Sequence, residues 1–209
     1  MHVSWTSGSN FGRFPSNGML IIKNGEAIMI DTPMDNQLTM QLVSFIEDSM
    51  HVEVKKLIIG HFHDDCLGGL EYIQSKNIPS LANWMTIEKC KELDLPIPTD
   101  SFRDSLIFNF NGLTIDCRYL GGGHTADNIT VYLSDEKILF GGCLIRSMEA
   151  QNLGNLTDTQ VDQWAATVTV LIGKYPEVEI VVPGHGNSGS PEMLTHTIDL
   201  VNNYLNNNK

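Results

Sequence analysis

Short apolar runs rich in β-branched residues alternate with amphipathic stretches of helical period along all 209 residues, which restricts the fold to packed layers of sheet and helix. Residues 19–22 and 27–30 read as strands joined by Lys23-Asn24-Gly25-Glu26, in which Asn-Gly is a strong hairpin turn. Asp35 is placed to cap a helix carrying Leu38, Leu42, Phe45 and Ile46 on its apolar side. Residues 54–59 form a short apolar strand that runs straight into His61, and Leu67, Leu70 and Ile73 mark the next helix. A strand at 80–82 follows Pro79. The middle of the chain reads as sheet: 105–110, 113–120 and 128–133, with Asn111-Gly112 as a turn, then 138–140 ended by Gly141-Gly142. Thr157-Asp158-Thr159-Gln160 fits a capping box, opening a helix with Val161, Trp164, Val168 and Leu171 that Pro176 ends. Residues 180–182 read as a buried strand closed by Pro183-Gly184. Ser190-Pro191 is an N-cap and N1 pair for a last helix with Leu194, Ile198, Val201 and Leu205, and 206–209 read as a frayed tail.

Composition excludes more than it names. Hydrophobic residues are 42% and charged residues 18%, a globular balance. Thirteen Lys and Arg against 25 Asp and Glu leave a formal charge of −12, which argues against a nucleic-acid partner, since that needs a basic face. Apolar runs such as Met19-Leu20-Ile21-Ile22 are too short to span a membrane, and residues 2–9 lack the apolar core of a signal peptide. Four cysteines are too few for a disulfide framework in a chain of this length.

The seven histidines are more informative, because of where they fall. In Gly60-His61-Phe62-His63-Asp64-Asp65-Cys66, two histidines two apart at the mouth of a strand can point to one side, and Asp65 continues that alternation unless a loop breaks it. His124, Cys143 and His185 lie just beyond strand ends or in the glycine-rich turns Gly121-Gly122-Gly123, Gly141-Gly142 and Pro183-Gly184. Imidazole, carboxylate and thiolate all suit zinc. Taken singly, a loop histidine is a surface residue and a cysteine after a strand is a small buried hydrophobe. Convergence on one kind of topological position is what favours a metal site. His2, His51 and His196 do not share that position; His51 follows a helix and His196 lies inside one, so both read as structural.

The run His61-Phe62-His63-Asp64-Asp65, followed in order by His124, Cys143 and His185, resembles the metallo-β-lactamase superfamily. Many hydrolases of that superfamily carry a histidine directly after the motif aspartate and an aspartate at the cysteine position. Cys66 and Cys143 stand at those places here, as in its di-zinc class B β-lactamases. Phe14-Pro15-Ser16-Asn17-Gly18, Ile30-Asp31-Thr32-Pro33, Gly123-His124-Thr125-Ala126-Asp127-Asn128, Gly154-Asn155-Leu156 and Trp164 are similar to that group as well. The resemblance implies a four-layer αβ/βα sandwich over residues 1–209 as a single domain, and zinc-dependent hydrolysis of the β-lactam amide in penicillins, cephalosporins and carbapenems by a metal-bound hydroxide. It implies one zinc on His61, His63 and His124 and a second on Asp65, Cys143 and His185. Asp65 would also orient the hydroxide, the Asn155 amide would stabilise the oxyanion, and Arg146 would take the substrate carboxylate where these enzymes usually carry lysine. Without the resemblance, Asn155 is a turn residue and Arg146 a solvated charge. Phe11, in a glycine-rich hairpin over 8–18, is the candidate to close over substrate, with Trp5 and Phe14 assigned to the core. Cys90 and Cys117 read as buried, and Cys66 as a neighbour of the metal site. A soluble periplasmic monomer acting on a small molecule is expected, with no nucleic-acid or membrane partner. The alternatives are another hydrolase of the same fold, such as a thioesterase, or an inactive zinc-binding relic.

Two departures stand out. The chain starts about twenty residues later than family members do, so a first strand is expected to be missing, at a cost in stability. Gly60 stands before His61 where a hydroxyl or amide residue is usual, which is expected to remove a hydrogen bond behind the metal ligands.

Overall fold

A computed structural model describes residues 2–8 and 12–208, with side chains described over 14–208. The chain divides into two compact units, Met1–Arg103 and Asp104–Lys209.

The first unit is built on a six-stranded sheet in sequential order. Strands β1 (His2–Gly8), β2 (Gly12–Lys23) and β3 (Glu26–Ile30) form an antiparallel meander. Asn24 and Gly25 both take positive φ at the β2–β3 turn, as an Asn-Gly hairpin requires. Helix α1 (Asn36–Ser44) follows, capped by Asp35, whose Oδ1 accepts from Leu38 N at 2.7 Å. A π-helical turn, Phe45–Ser49, extends it. Strand β4 (Glu53–Ile58) pairs parallel to β3, and the short helices α2 (Asp64–Leu67) and α3 (Leu70–Ser75) come next. Strand β5 (Ser80–Asn83), helix α4 (Trp84–Glu92) and strand β6 (Asp100–Phe102) complete the unit, β5 and β6 adding in parallel. Ala27 and Met29 from β3, Leu57 from β4, and Val43, Ile46, Leu70, Ile73 and Cys90 from the helices form one buried cluster.

The buried row of α1 is Thr39, Val43 and Ile46, not the row through Phe45, which is 58% exposed. Thr39 decides this. Its hydroxyl bonds Asp35 O at 2.8 Å, and a Cβ on Gly69 would sit 1.9 Å from that hydroxyl, so α1 and the start of α3 meet along the Thr39 row.

At the end of β3 the backbone turns through Asp31, held at φ 61° in the left-handed region, which aspartate tolerates better than most residues. Its N–H donates to Ile58 O at 2.9 Å, and its Oδ1 accepts from Gly60 N at 2.6 Å in a buried contact. One residue thereby ties the end of β3 to the end of β4. Gly60 suits this place because a Cβ there would lie 3.0 Å from both carboxylate oxygens of Asp31.

The second unit holds a five-stranded sheet, with strands β7 (Ser105–Phe110), β8 (Leu113–Arg118), β9 (Thr130–Leu133), β10 (Ile138–Gly142) and β11 (Ile180–Pro183) in the order β11-β10-β9-β8-β7. The first four are antiparallel and β11 adds parallel to β10. Consequently β8, β10 and β11 run in one direction. Helices α5 (Val161–Lys174) and α6 (Glu192–Asn207) pack together, burying Trp164, Val168, Leu171, Leu194 and Val201 with Leu139 and Val181 of the sheet. Asp116 is buried in this unit; its Oδ2 accepts from Tyr175 Oη at 2.9 Å and from the Arg118 guanidinium, and burial pushes the Tyr175 phenol up.

Five local expectations differ here. The capping box does not form, because Thr157 is already engaged by Asn155 and α5 begins only at Val161, after Gln160. Pro191 rather than Ser190 occupies the cap of α6, and α6 continues through the segment read as frayed, to Asn207. Strand β8 stops at Arg118, and Ile180 of β11 is 45% exposed because it opens the strand.

Replacing Asp31 with alanine leaves the buried Gly60 N–H without its acceptor in a left-handed position that alanine resists. We expect a loss of about 2–3 kcal/mol in unfolding free energy, read as a lowered urea midpoint at constant slope. Asp31→Asn keeps an oxygen acceptor and should lose less than half as much.

Candidate metal centre

In the first unit, β4 delivers the chain through Ile59 to the anchored Gly60, and His61 follows. His61 is 1% exposed. Its Nε2 lies 3.0 Å from His63 Nδ1, with the rings 77° apart. Phe62, between them, is buried and packs edge-on against His63. Residue 63 is already the N-cap of α2, so Asp65 stands in the first turn of a helix. The strand alternation expected to carry Asp65 is therefore broken, yet the helical turn brings its Oδ1 to 3.9 Å from His61 Nε2. On the other side of the ring, Cys66 Sγ lies 3.2 Å from His61 Nδ1. Donor atoms of His61, Asp65 and Cys66 all fall within 4.8 Å of one another.

In the second unit, His124, Cys143 and His185 each follow the carboxyl end of β8, β10 or β11, so the common direction of those strands brings all three out at one end of the sheet. Cys143, 3% exposed, places Sγ 3.5 Å from His185 Nε2. The glycine before His185 is required by this approach: a Cβ on Gly184 would stand 2.4 Å from Cys143 Sγ, and Gly184 N donates to Gly142 O at 2.7 Å. The loop bearing His124 is fixed by Asn128, whose Oδ1 accepts from Thr125 N and whose Nδ2 donates to Gly121 O. Three bonds tie these loops to α5 and its N-cap: Gln160 N to Gly123 O at 2.8 Å, Thr167 Oγ1 to Gly122 O at 2.6 Å, and Trp164 Nε1 to Leu144 O at 2.7 Å. His124 is 7% exposed, with its ring 6.0 Å from that of Trp164.

Arg146 is half-buried with a guanidinium lying against Gly154; a Cβ on Gly154 would meet Nη1 at 3.4 Å. Its Nε is buried and finds no hydrogen-bond partner, and no carboxylate among the described residues pairs with it. Burial draws its pKa down while Cys143 opposes the shift. Asn155 is exposed and its Oδ1 closes a turn, accepting from Thr157 N at 3.1 Å and Thr157 Oγ1 at 2.8 Å. The turn role and the functional role are compatible, since Nδ2 is not used in that turn. Cys90 and Cys117 are buried as expected, and Phe14 is half-buried rather than core. Phe11 and the Trp5 side chain lie outside the described residues. Helical His196 donates from Nε2 to Ala150 O, 3.0 Å away, and His51 takes φ 56° beyond the π-helical turn, both consistent with structural roles.

Sequence reasoning missed the supports of these loops. Asp31 stood within a family-like stretch, but its tie to Gly60 was not foreseen. Glu149 accepts from Asn187 Nδ2 at 2.9 Å, a bond that holds its carboxyl below the usual range and ties down the chain after His185. The donor spacings test the site directly. Zinc bonds of about 2.0–2.1 Å to nitrogen and 2.3 Å to sulfur at tetrahedral angles separate two ligand nitrogens by about 3.3 Å, and a nitrogen from a sulfur by about 3.6 Å. The observed 3.5 Å fits the sulfur–nitrogen bite and the observed 3.0 Å lies about 0.3 Å inside the nitrogen–nitrogen one, and imidazoles, a thiol and a carboxylate are a donor set for a divalent metal.

Comparison with known proteins agrees with this chemistry. Residues 11–185 match the model of the metallo-β-lactamase superfamily. A type 2 metallo-β-lactamase of Bacteroides fragilis is 44% identical over 204 residues, 98% of this chain and 82% of that protein. One from Pseudomonas aeruginosa is 32% identical over 94% of this chain and 78% of its own length. A metallo-β-lactamase structure from Pontibacter korlensis superposes with a TM-score of 0.92 at 35% identity, covering 97% of this chain and 94% of that one. With two mixed sheets and their helices in the arrangement of that fold, and donor groups that imply a divalent metal, the chain belongs to the metallo-β-lactamase superfamily.

Proposed function

We propose that the chain, acting as one domain and a monomer in the periplasm, hydrolyses the amide bond of penicillins, cephalosporins and carbapenems with two zinc ions. His61, His63 and His124 hold one ion; Asp65, Cys143 and His185 hold the other. The pairing of a 3.0 Å nitrogen–nitrogen bite at His61 and His63 with a 3.5 Å sulfur–nitrogen bite at Cys143 and His185 carries this reading. Relatives named as metallo-β-lactamases support the substrate class. Cys143, where many other hydrolases of the fold have aspartate, supports it further. When bound, the zinc pair supplies a hydroxide nucleophile at neutral pH and Lewis acidity toward the lactam oxygen and nitrogen.

The protein's own groups do the rest. In the net reaction, water oxygen bonds to the lactam carbonyl carbon, the carbon–nitrogen bond breaks, and the nitrogen takes up a proton. Asp65 accepts a hydrogen bond from the attacking oxygen and fixes its direction. Asn155 Nδ2, left over by the turn, donates to the carbonyl oxygen as charge develops there; one such donor is worth about 3 kcal/mol. Arg146 binds the substrate carboxylate, for which a half-buried guanidinium whose Nε has no hydrogen-bond partner among the described residues is well suited. Among the described residues no helix is long and apolar enough to cross a membrane.

Absorbance loss of a carbapenem, followed with zinc-loaded folded protein, tests the reading. Turnover should vanish on adding a chelator and return with zinc; a folded, zinc-loaded protein with no chelator-sensitive turnover of any lactam contradicts it. Arg146→Ala should raise KM for carboxylate-bearing lactams about 10–100-fold, the loss of one charge-assisted contact, with kcat changed much less. An unchanged KM would remove Arg146 from the substrate site.

A further inference from the structure

His61 is approached at both ring nitrogens. Nε2 faces His63 Nδ1 at 3.0 Å and Asp65 Oδ1 at 3.9 Å, while Nδ1 faces Cys66 Sγ at 3.2 Å. A ring that offers its Nε2 lone pair to a metal carries its proton on Nδ1, and that N–H needs an acceptor when buried. Metal-binding histidines usually donate it to a carboxylate, a backbone carbonyl or water. Here the atom in place is a buried sulfur. We propose that Cys66 is a positioning residue for His61, its sulfur accepting the Nδ1–H and thereby fixing the tautomer and the orientation of the ring.

The sulfur is itself rooted. Cys66 N donates to His63 O at 3.0 Å. Cys66 O accepts twice from Thr32, from its N–H at 2.9 Å and its Oγ1 at 3.2 Å. Thr32 Oγ1 in turn accepts from Gly69 N at 2.9 Å. Cys66 and Thr32 are each 2% exposed, so this clamp is shielded from competing water. A cysteine serving only as packing would need its volume but not an acceptor atom, and that difference is testable.

The proposal rests on the reading of His61 as a metal ligand. Zinc affinity is measured by competition with a chromophoric chelator for the wild type, Cys66→Ser, Cys66→Ala, Cys66→Val and His61→Ala. Positioning through an acceptor predicts that Cys66→Ser stays within about threefold of wild type, whereas Cys66→Ala and Cys66→Val bind one zinc about 10–100-fold more weakly. Serine as damaging as alanine, or alanine and valine both at wild-type affinity, overturns the proposal. If His61→Ala binds weakly while the Cys66 variants do not, only the role of Cys66 fails; if His61→Ala also binds as wild type, the ligand assignment falls with it. Long-range proton–nitrogen NMR on the zinc-loaded wild type needs no variant. A His61 ring protonated at Nδ1 supports the proposal, and one protonated at Nε2 overturns it.

Discussion

The hydrogen bond from Gly60 N to Asp31 Oδ1, 2.6 Å long and buried, sets where β4 stops and where the histidine run begins. It is the first of two anchors supplied by one dipeptide. Asp31 holds the residue before His61, and Thr32 holds the carbonyl of Cys66 at the far end of the run. Residues 60–66 are a turn and the start of a four-residue helix, with no ladder of their own to fix them. Ordering such a segment costs about 1–2 kcal/mol per residue in backbone entropy. The two anchors hold it in place, so that His61, His63 and Asp65 present their donor atoms without further rearrangement. The left-handed conformation of Asp31 is the local strain that this tie imposes.

In the other unit the same result comes from strand direction. Because β8, β10 and β11 run alike, the residues after their carboxyl ends meet on one side, and close approach is then limited by side-chain volume. Glycines resolve that limit beside Cys143, where even a methyl group would collide with sulfur. Helix α5 holds the result from behind through Trp164 and Gln160, each donating to a carbonyl next to a candidate ligand.

Much of this was legible in the sequence. Asn24-Gly25, Asp35 and the apolar runs carry their structure locally, and the strand–glycine–histidine pattern marks a metal site because glycine and imidazole at strand ends have few other joint uses. What was not legible depends on partners distant in sequence. Asp31 reaches Gly60 across 29 residues and Thr32 reaches Cys66 across 34, and neither leaves a periodic trace. The capping box failed for a related reason: Asn155 reaches Thr157 first, and a short motif carries no information about a competing neighbour. Asp65 comes to 3.9 Å from His61 through a helical turn, the break in strand alternation that the sequence left open.

The central claim is that two donor sets of different softness, one of imidazoles and one containing the Cys143 thiolate, each hold a zinc ion. Elemental analysis of zinc per chain, after dialysis of folded protein against metal-free buffer, measures this most directly when wild type is compared with Cys143→Ser. The account predicts two zinc ions per wild-type chain and about one in the variant, because the soft ligand of the second set is lost. A Cys143→Ser protein that still retains two would contradict it.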